Sequence, residues 1–166
     1  YAPTDFDLWP ETSKMILVLL MFIGACAGST GGGFKISRLL ILCKAIPKQL
    51  SLVIHPREVK VIRMDGKPID HNTLRSTNVY LAIYFFILLV STLLISVDNF
   101  NLTTNFTAVA STLNNIGPGL DGVGPTRNFG MYSDFSKFVL MFDMLAGRLE
   151  LYPLLILFMP SLWRRK

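Results

Sequence analysis

Three groups of residues could do chemistry, and none pairs a nucleophile with a base. The first is Gly24-Ala25-Cys26-Ala27-Gly28-Ser29-Thr30-Gly31-Gly32-Gly33, with five glycines in ten residues. The second is Asn114-Asn115-Ile116-Gly117-Pro118-Gly119-Leu120, and the third is Arg148, a lone positive charge in an apolar run. Extended, glycine-bearing backbone can turn carbonyl oxygens toward a cation in place of its hydration shell. Gly117 permits backbone conformations closed to other residues, and Gly119 offers a second such point. An arginine at membrane depth costs at least about 2.5–3.5 kcal/mol and normally faces a cavity or a partner.

The elements that must hold these groups are apolar. Of the 166 residues, 51% are hydrophobic, and mean hydropathy is +0.47. Uninterrupted apolar runs on this scale point to an integral membrane protein and away from a soluble domain. The net charge of +5 is not spread as a nucleic-acid-binding surface would require. Nine of the sixteen Lys and Arg residues lie between Lys35 and Arg75, and Arg164-Arg165-Lys166 closes the chain. That pattern fits the basic bias of cytoplasmic segments.

The 35 residues from Thr12 to Ile46 would make a straight helix of roughly 52 Å, against a hydrocarbon core of about 30 Å. The glycines between the runs 15–23 and 34–46 therefore predict a break. At membrane depth such a break is tolerated only against protein or around a water-filled path. The second run is expected to reach Pro47. Residues 49–76 read as a hydrophilic, basic connector. Within it, residues 59–62 and Lys67-Pro68-Ile69 could form a hairpin about Asp65-Gly66.

Residues 77–97 are 21 in a row without a charge, which predicts a spanning helix. Residues 103–113 could make a helix of roughly 16 Å, too short to cross. It feeds directly into Asn114–Leu120, and a last helix is expected over 133–163, interrupted by Pro153. Spanning helix, half helix, extended segment and spanning helix together make a pore-loop unit. The half helix would point its partly negative C-terminal end toward the interior and so favour a cation. The same pattern also fits an ordinary re-entrant or surface loop ending in a tight Gly-Pro-Gly turn. Alternating the ends places both basic clusters on one side, with the chain starting outside.

For Arg148, Glu150 lies two positions on and Asp143 five away, so neither is well aligned along a helix. A partner from another segment, or the carbonyls of the glycine stretch, fits better, and a plain helix-to-helix salt bridge is the alternative. Lys35 is expected to snorkel to the interface, with Glu150 as its other option. Cys26 and Cys43 share one apolar segment and suggest neither a disulfide nor a metal cluster. His55 and His71 have no ligand spacing. Gly28 to Lys35 lacks the order of a phosphate-binding loop. The glycosylation-like triplets at Asn101 and Asn105 are assigned no modification. The chain begins at Tyr1-Ala2-Pro3 without a signal peptide, as the C-terminal portion of something larger would.

Gly24 to Lys35, Asn114 to Leu120 and Ala146-Gly147-Arg148-Leu149-Glu150, in that order, resemble the TrkH branch of the Trk/Ktr/HKT potassium-transporter superfamily. The resemblance covers essentially the whole chain. It implies an all-α integral membrane fold of four linked helix–pore-loop–helix repeats. On it, residues 1–47 are the end of the third repeat, 48–76 a cytoplasmic connector and 77–166 the fourth repeat.

The resemblance implies potassium uptake as part of a pore in the bacterial inner (cytoplasmic) membrane, multi-pass, with no covalent chemistry and no organic cofactor on this chain. Tyr1 and Ala2 would belong to the third selectivity segment, whose family glycine is absent here. Asn115, Ile116, Gly117 and Pro118 would form the fourth, with potassium held by the carbonyls of Ile116 and Gly117. Gly24, Gly28, Ser29, Thr30, Gly31, Gly32 and Gly33 would form a gate loop below, and Arg148 would project into the pore beneath the filter. The implied partners are the potassium ion, the lipid bilayer, a second pore subunit as a homodimer and a nucleotide-binding ring of the TrkA type, with no nucleic acid. The competing readings are a discontinuous-helix carrier for another substrate and a membrane-embedded enzyme.

Overall fold

The hydropathy breaks become helix ends. The computed structural model describes residues 4–24, 33–55, 62–64 and 67–149. Helix α1 (Glu11–Phe22) starts behind Pro10, and Lys14 pairs with Glu11 at 3.0 Å in its first turn. It stops where the glycines begin, and α2 (Ile36–Ile54) resumes beyond them. The expected break is therefore present. Its two ends meet: Ile23 bridges Phe34 in parallel, and the Gly24 amide donates to the Phe34 carbonyl at 2.9 Å.

One expectation fails at Pro47, which lies inside α2 instead of ending it. Proline removes one i to i−4 bond and crowds the preceding turn. None of the α2 residues beyond it is buried, and Val53 is 80% exposed, so this end of α2 has room to relax. Two short antiparallel strands follow, β1 (Arg63–Met64) and β2 (Lys67–Pro68); they flank positions 65 and 66 as expected, but the first strand lies at 63–64 and Ile62, expected within it, is outside. Residues 59–61 and the Asp65-Gly66 turn lie outside the described residues. Lys44 Nζ on α2 donates to the Arg63 carbonyl at 3.0 Å and ties the hairpin to the helix.

Helix α3 (His71–Ile95) begins six residues before the charge-free run. Within the described residues, Asn72–Asp98 is the one stretch long and apolar enough to cross a membrane. The short helix α4 (Leu102–Leu113) starts within one residue of its expected position. Helix α5 spans Asp134–Leu149, and Glu150, Pro153 and the closing basic triplet lie outside the described residues.

These helices pack with their polarity reversed. Nine of the twelve α4 residues are buried, among them Thr104, Asn105, Thr107, Ser111 and Thr112, so the polar helix is the inside. Helices α3 and α5 enclose it and expose apolar side chains outward, such as Leu93, Phe86 and Phe138. A soluble domain places these classes the other way round. The shared core runs from Phe34, Tyr80 and Tyr84 through Val109 and Leu113 to Val139 and Ala146.

The start of α4 is pinned by polar contacts. The Asn101 side chain caps it, accepting from the Thr104 amide at 2.9 Å, and donates from its amide to Asp121. Asp121 also accepts from the Thr104 hydroxyl, while its own amide donates to Asp7 Oδ1 at 2.9 Å. The Asn101 amide, the Thr104 hydroxyl, and the charges of Arg127 and Lys14 hold the Asp121 carboxyl below its usual range, against a smaller opposing effect of burial. A depressed carboxylate stabilises the fold above its unfolded value, near 3.9, and loses that contribution as pH falls through the folded value. The thermal stability of the full-length protein should therefore decline below about pH 4. Asp121→Asn, which cannot ionise, should flatten that decline in a series of melting curves against pH.

Candidate functional site

Helix α4 ends in a complete left-handed cap. Asn115 sits at φ +55, its amide donates to the Thr112 carbonyl at 3.0 Å, and the Ile116 amide donates to Ser111 at 2.9 Å. This pair of bonds terminates a helix on an αL residue, a position asparagine tolerates second only to glycine. The cap uses the carbonyls of the last turn and sends the chain out as extended backbone from Ile116.

The return path is anchored at Leu120, whose amide donates to the Thr107 hydroxyl at 3.1 Å, halfway back along α4. Between these anchors, Ile116 and Gly117 are exposed and Pro118 is half-buried. The carbonyls of Ile116 and Gly117 accept no hydrogen bond from the described residues. Gly117 has φ +113, a region side-chain-bearing residues rarely adopt, and open space surrounds the position its Cβ would take. Gly119 differs from expectation. Its φ is not positive, and its need is space, since a Cβ would lie 2.7 Å from Val123 and 3.1 Å from the Thr107 carbonyl.

Helix α5 approaches the same spot. The Asn115 side-chain amide donates to the Met144 carbonyl at 3.1 Å. A Cβ on Gly147 would collide with the Leu113 carbonyl oxygen and crowd the Asn115 amide at 2.9 Å. Arg148, the residue after Gly147 in α5, is exposed. The sequence-predicted residues Asn115 to Pro118 thus lie at one end of the buried helix, against the turn of α5 that carries Arg148. Gly33 joins them, since its Cβ would lie 2.6 Å from Asn114 Oδ1. Gly24 reaches Phe34 through its amide. Tyr1, Ala2, Gly28, Ser29, Thr30, Gly31 and Gly32 lie outside the described residues. Lys35 is half-buried at the start of α2.

Several polar residues here escape the sequence reading. Asn114 and Tyr84 form a buried hydrogen bond of 2.8 Å. Asp143, fully buried on α5, accepts from Ser91 of α3 at 2.7 Å, and its Oδ2 meets no donor among the described residues. Arg38 lies 3.9 Å above the Tyr80 ring. Tyrosines spaced i, i+4 in an aliphatic span are the signal that could have marked the first pair. A separate groove of about 950 Å³ opens beside α1, lined by Asp7, Glu11, Lys14, Phe106, Asp121 and Arg127 among others. Neither Arg148 nor residues 115–118 line it.

Against known proteins, the family model TrkH, described as a cation transport protein, matches residues 1–165. The chain is 38% identical over 164 residues to the Trk system potassium uptake protein TrkH of Vibrio parahaemolyticus, covering 99% of this chain and 33% of that protein. It is 37% identical over 156 residues to TrkH of Escherichia coli, covering 94% and 32%, and 32% identical over 163 residues to TrkG of that organism, covering 98% and 33%. The crystal structure of the potassium transporter TrkH from Vibrio parahaemolyticus superposes with a TM-score of 0.88 at 38% identity, over 99% of this chain and 35% of that one. The chain thus spans about a third of the length of the curated relatives it matches.

The contact at Gly147 gives a direct test. Gly147→Ala drives a methyl into the Leu113 carbonyl, and overpacking of this kind costs about 1–3 kcal/mol. A lowered melting temperature of the full-length protein is the expected result, and an unchanged one means α5 does not press on the end of α4.

Proposed function

This chain belongs to the TrkH family of cation transport proteins, and from that membership we propose that it forms part of a potassium-uptake pore, carrying one complete selectivity segment and the constriction beneath it. The observation that supports this most is the bare backbone of Ile116 and Gly117, delivered by a buried half helix and unclaimed by hydrogen bonds from the described residues. A potassium ion gives up its water there for carbonyl oxygens. The C-terminal end of α4, carrying roughly half a negative charge, assists at the same point.

On this reading Asn115, Ile116, Gly117 and Pro118 are the fourth repeat's selectivity segment, and Tyr1 and Ala2 belong to the third's. Gly24, Gly28, Ser29, Thr30, Gly31, Gly32 and Gly33 form the gate below, whose described ends are brought together where Ile23 pairs with Phe34. Arg148 is the positive barrier on the axis and donates to carbonyls of that glycine segment. Four such segments are needed to surround an ion, so the complete protein conducts and this third of it does not. The apolar flanks of α3 and α5 suit lipid and neighbouring repeats in a multi-pass protein of the bacterial inner membrane. A homodimer of pore subunits and a cytoplasmic nucleotide-binding ring of the TrkA type complete the assembly.

Rubidium and sodium uptake into vesicles carrying the full-length protein tests this. Gly117→Ser strains the backbone at a positive φ and should lower discrimination between the two ions about tenfold, the equivalent of 1.4 kcal/mol. Arg148→Ala should raise flux several-fold without loss of the inserted protein, because it removes a residue that insertion disfavours. Wild-type flux and discrimination in both variants would overturn the proposal.

A further inference from the structure

Both flanks of the glycine segment touch one tyrosine. Phe22, at the end of α1, meets the Tyr84 ring edge-on at 6.5 Å, and Phe34, before α2, lies 6.3 Å from it and 6.0 Å from Tyr80. Tyr80 and Tyr84 stack along α3 at 6.5 Å, and Arg38 covers Tyr80. The Tyr84 hydroxyl donates to Asn114 Oδ1 at 2.8 Å, and Asn114 Nδ2 donates to the Ala110 carbonyl at 2.8 Å. Asn114 is 5% exposed and immediately precedes the αL residue that opens the extended segment. Against its Oδ1 lies Gly33, at φ +84, where a Cβ would come within 2.6 Å.

We infer that Asn114 is a positioning residue that couples the exit of the glycine segment to the setting of residues 115–118, with the Tyr84 hydroxyl as its latch. The inference rests on reading those residues as a selectivity segment. The side chain of Asn114 fits between two fixed bonds and one backbone, so it has no slack. If residues 33 and 34 shift, Gly33 presses on Oδ1, the Tyr84 bond lengthens, and the last turn of α4 rotates. The αL cap is built on that turn, so the Ile116 and Gly117 carbonyls turn with it. If Tyr84 were only a core residue, its bond to Asn114 would contribute stability and leave ion discrimination alone.

Tyr84→Phe deletes the donor and keeps the ring contacts with Phe22, Phe34 and Tyr80. In vesicles carrying the full-length protein, it should lower the rubidium-to-sodium flux ratio several-fold, and because it leaves the buried Asn114 Oδ1 without this donor it should lower the melting temperature as well. Gly33→Ala, which crowds Asn114 Oδ1 and also strains the backbone at φ +84, should lower the same ratio. Asn114→Ala combined with Tyr84→Phe should do no more than Asn114→Ala alone, because coupled residues are non-additive. An unchanged ratio in Tyr84→Phe and Gly33→Ala, alongside a reduced ratio in Gly117→Ser, overturns the coupling and leaves the selectivity reading standing. An unchanged ratio in Gly117→Ser as well overturns the selectivity reading itself.

Discussion

A short polar helix enclosed by apolar ones must satisfy every one of its own hydrogen-bonding groups, and the rest of this structure follows from how α4 does so. Its hydroxyls turn back onto its backbone: Thr107 donates to the Thr103 carbonyl, and Ser111 and Thr112 to that of Ala108. Its first turn is capped by Asn101 and its last closes on Asn115. An unpaired group in an apolar interior costs several kcal/mol, so neither end can slide or fray. Twelve residues rise about 18 Å, which leaves the exit of the chain part-way through a layer of about 30 Å. The distance of Ile116 and Gly117 from the start of α4 is therefore set by helix length and by two caps.

Apolar flanks and a polar centre also dictate where charge can go. Arg38 lays its guanidinium on an aromatic face, a contact of about 0.5–2 kcal/mol depending on desolvation. Asp143 enters the core between α3 and α5 with a single serine as donor among the described residues. Arg148 avoids the core. Of the three, Arg148 alone is exposed, one residue beyond the Gly147 that packs on the end of α4.

How much of this was readable in advance depends on whether the cause was local. The helix break, the charge-free span and the half helix follow from composition over a few turns, and their ends fall within a few residues of expectation. Gly117 was readable as a special backbone position because glycine reaches conformations closed to other residues. Gly119 was misread, since its requirement is the approach of Val123 and Thr107, which no local pattern encodes. Pro47 was misread because its penalty depends on whether the surrounding turn is free to adjust, and here it is exposed. Tyr84 with Asn114, thirty residues apart, and Ser91 with Asp143, fifty-two apart, form only when three helices pack. A polar residue in an apolar run announces that it needs a partner without naming one. The glycine residues 28–32 and the residues at Tyr1 and Ala2 lie outside the described residues, so for them sequence resemblance is the only guide.

On the proposed reading, two charges of opposite sign shape the route at close quarters. The C-terminal end of α4 acts as about half a negative charge and draws a cation toward residues 116 and 117. Arg148 carries a full positive charge one residue beyond the Gly147 that packs on that end. At about 10 Å and an effective dielectric constant near 20, a unit charge repels a cation by about 1.7 kcal/mol, and half a charge attracts by about half as much. Which of the two prevails at a given point depends on the ion's distance from each, since both energies fall with distance. On that reading a cation would be attracted at the carbonyls by the one charge and resisted by the other. The glycine exit at Gly33 lies against Asn114. A shift of Gly33 would therefore be felt first by Asn114, at the end of α4 that supplies the attracting charge.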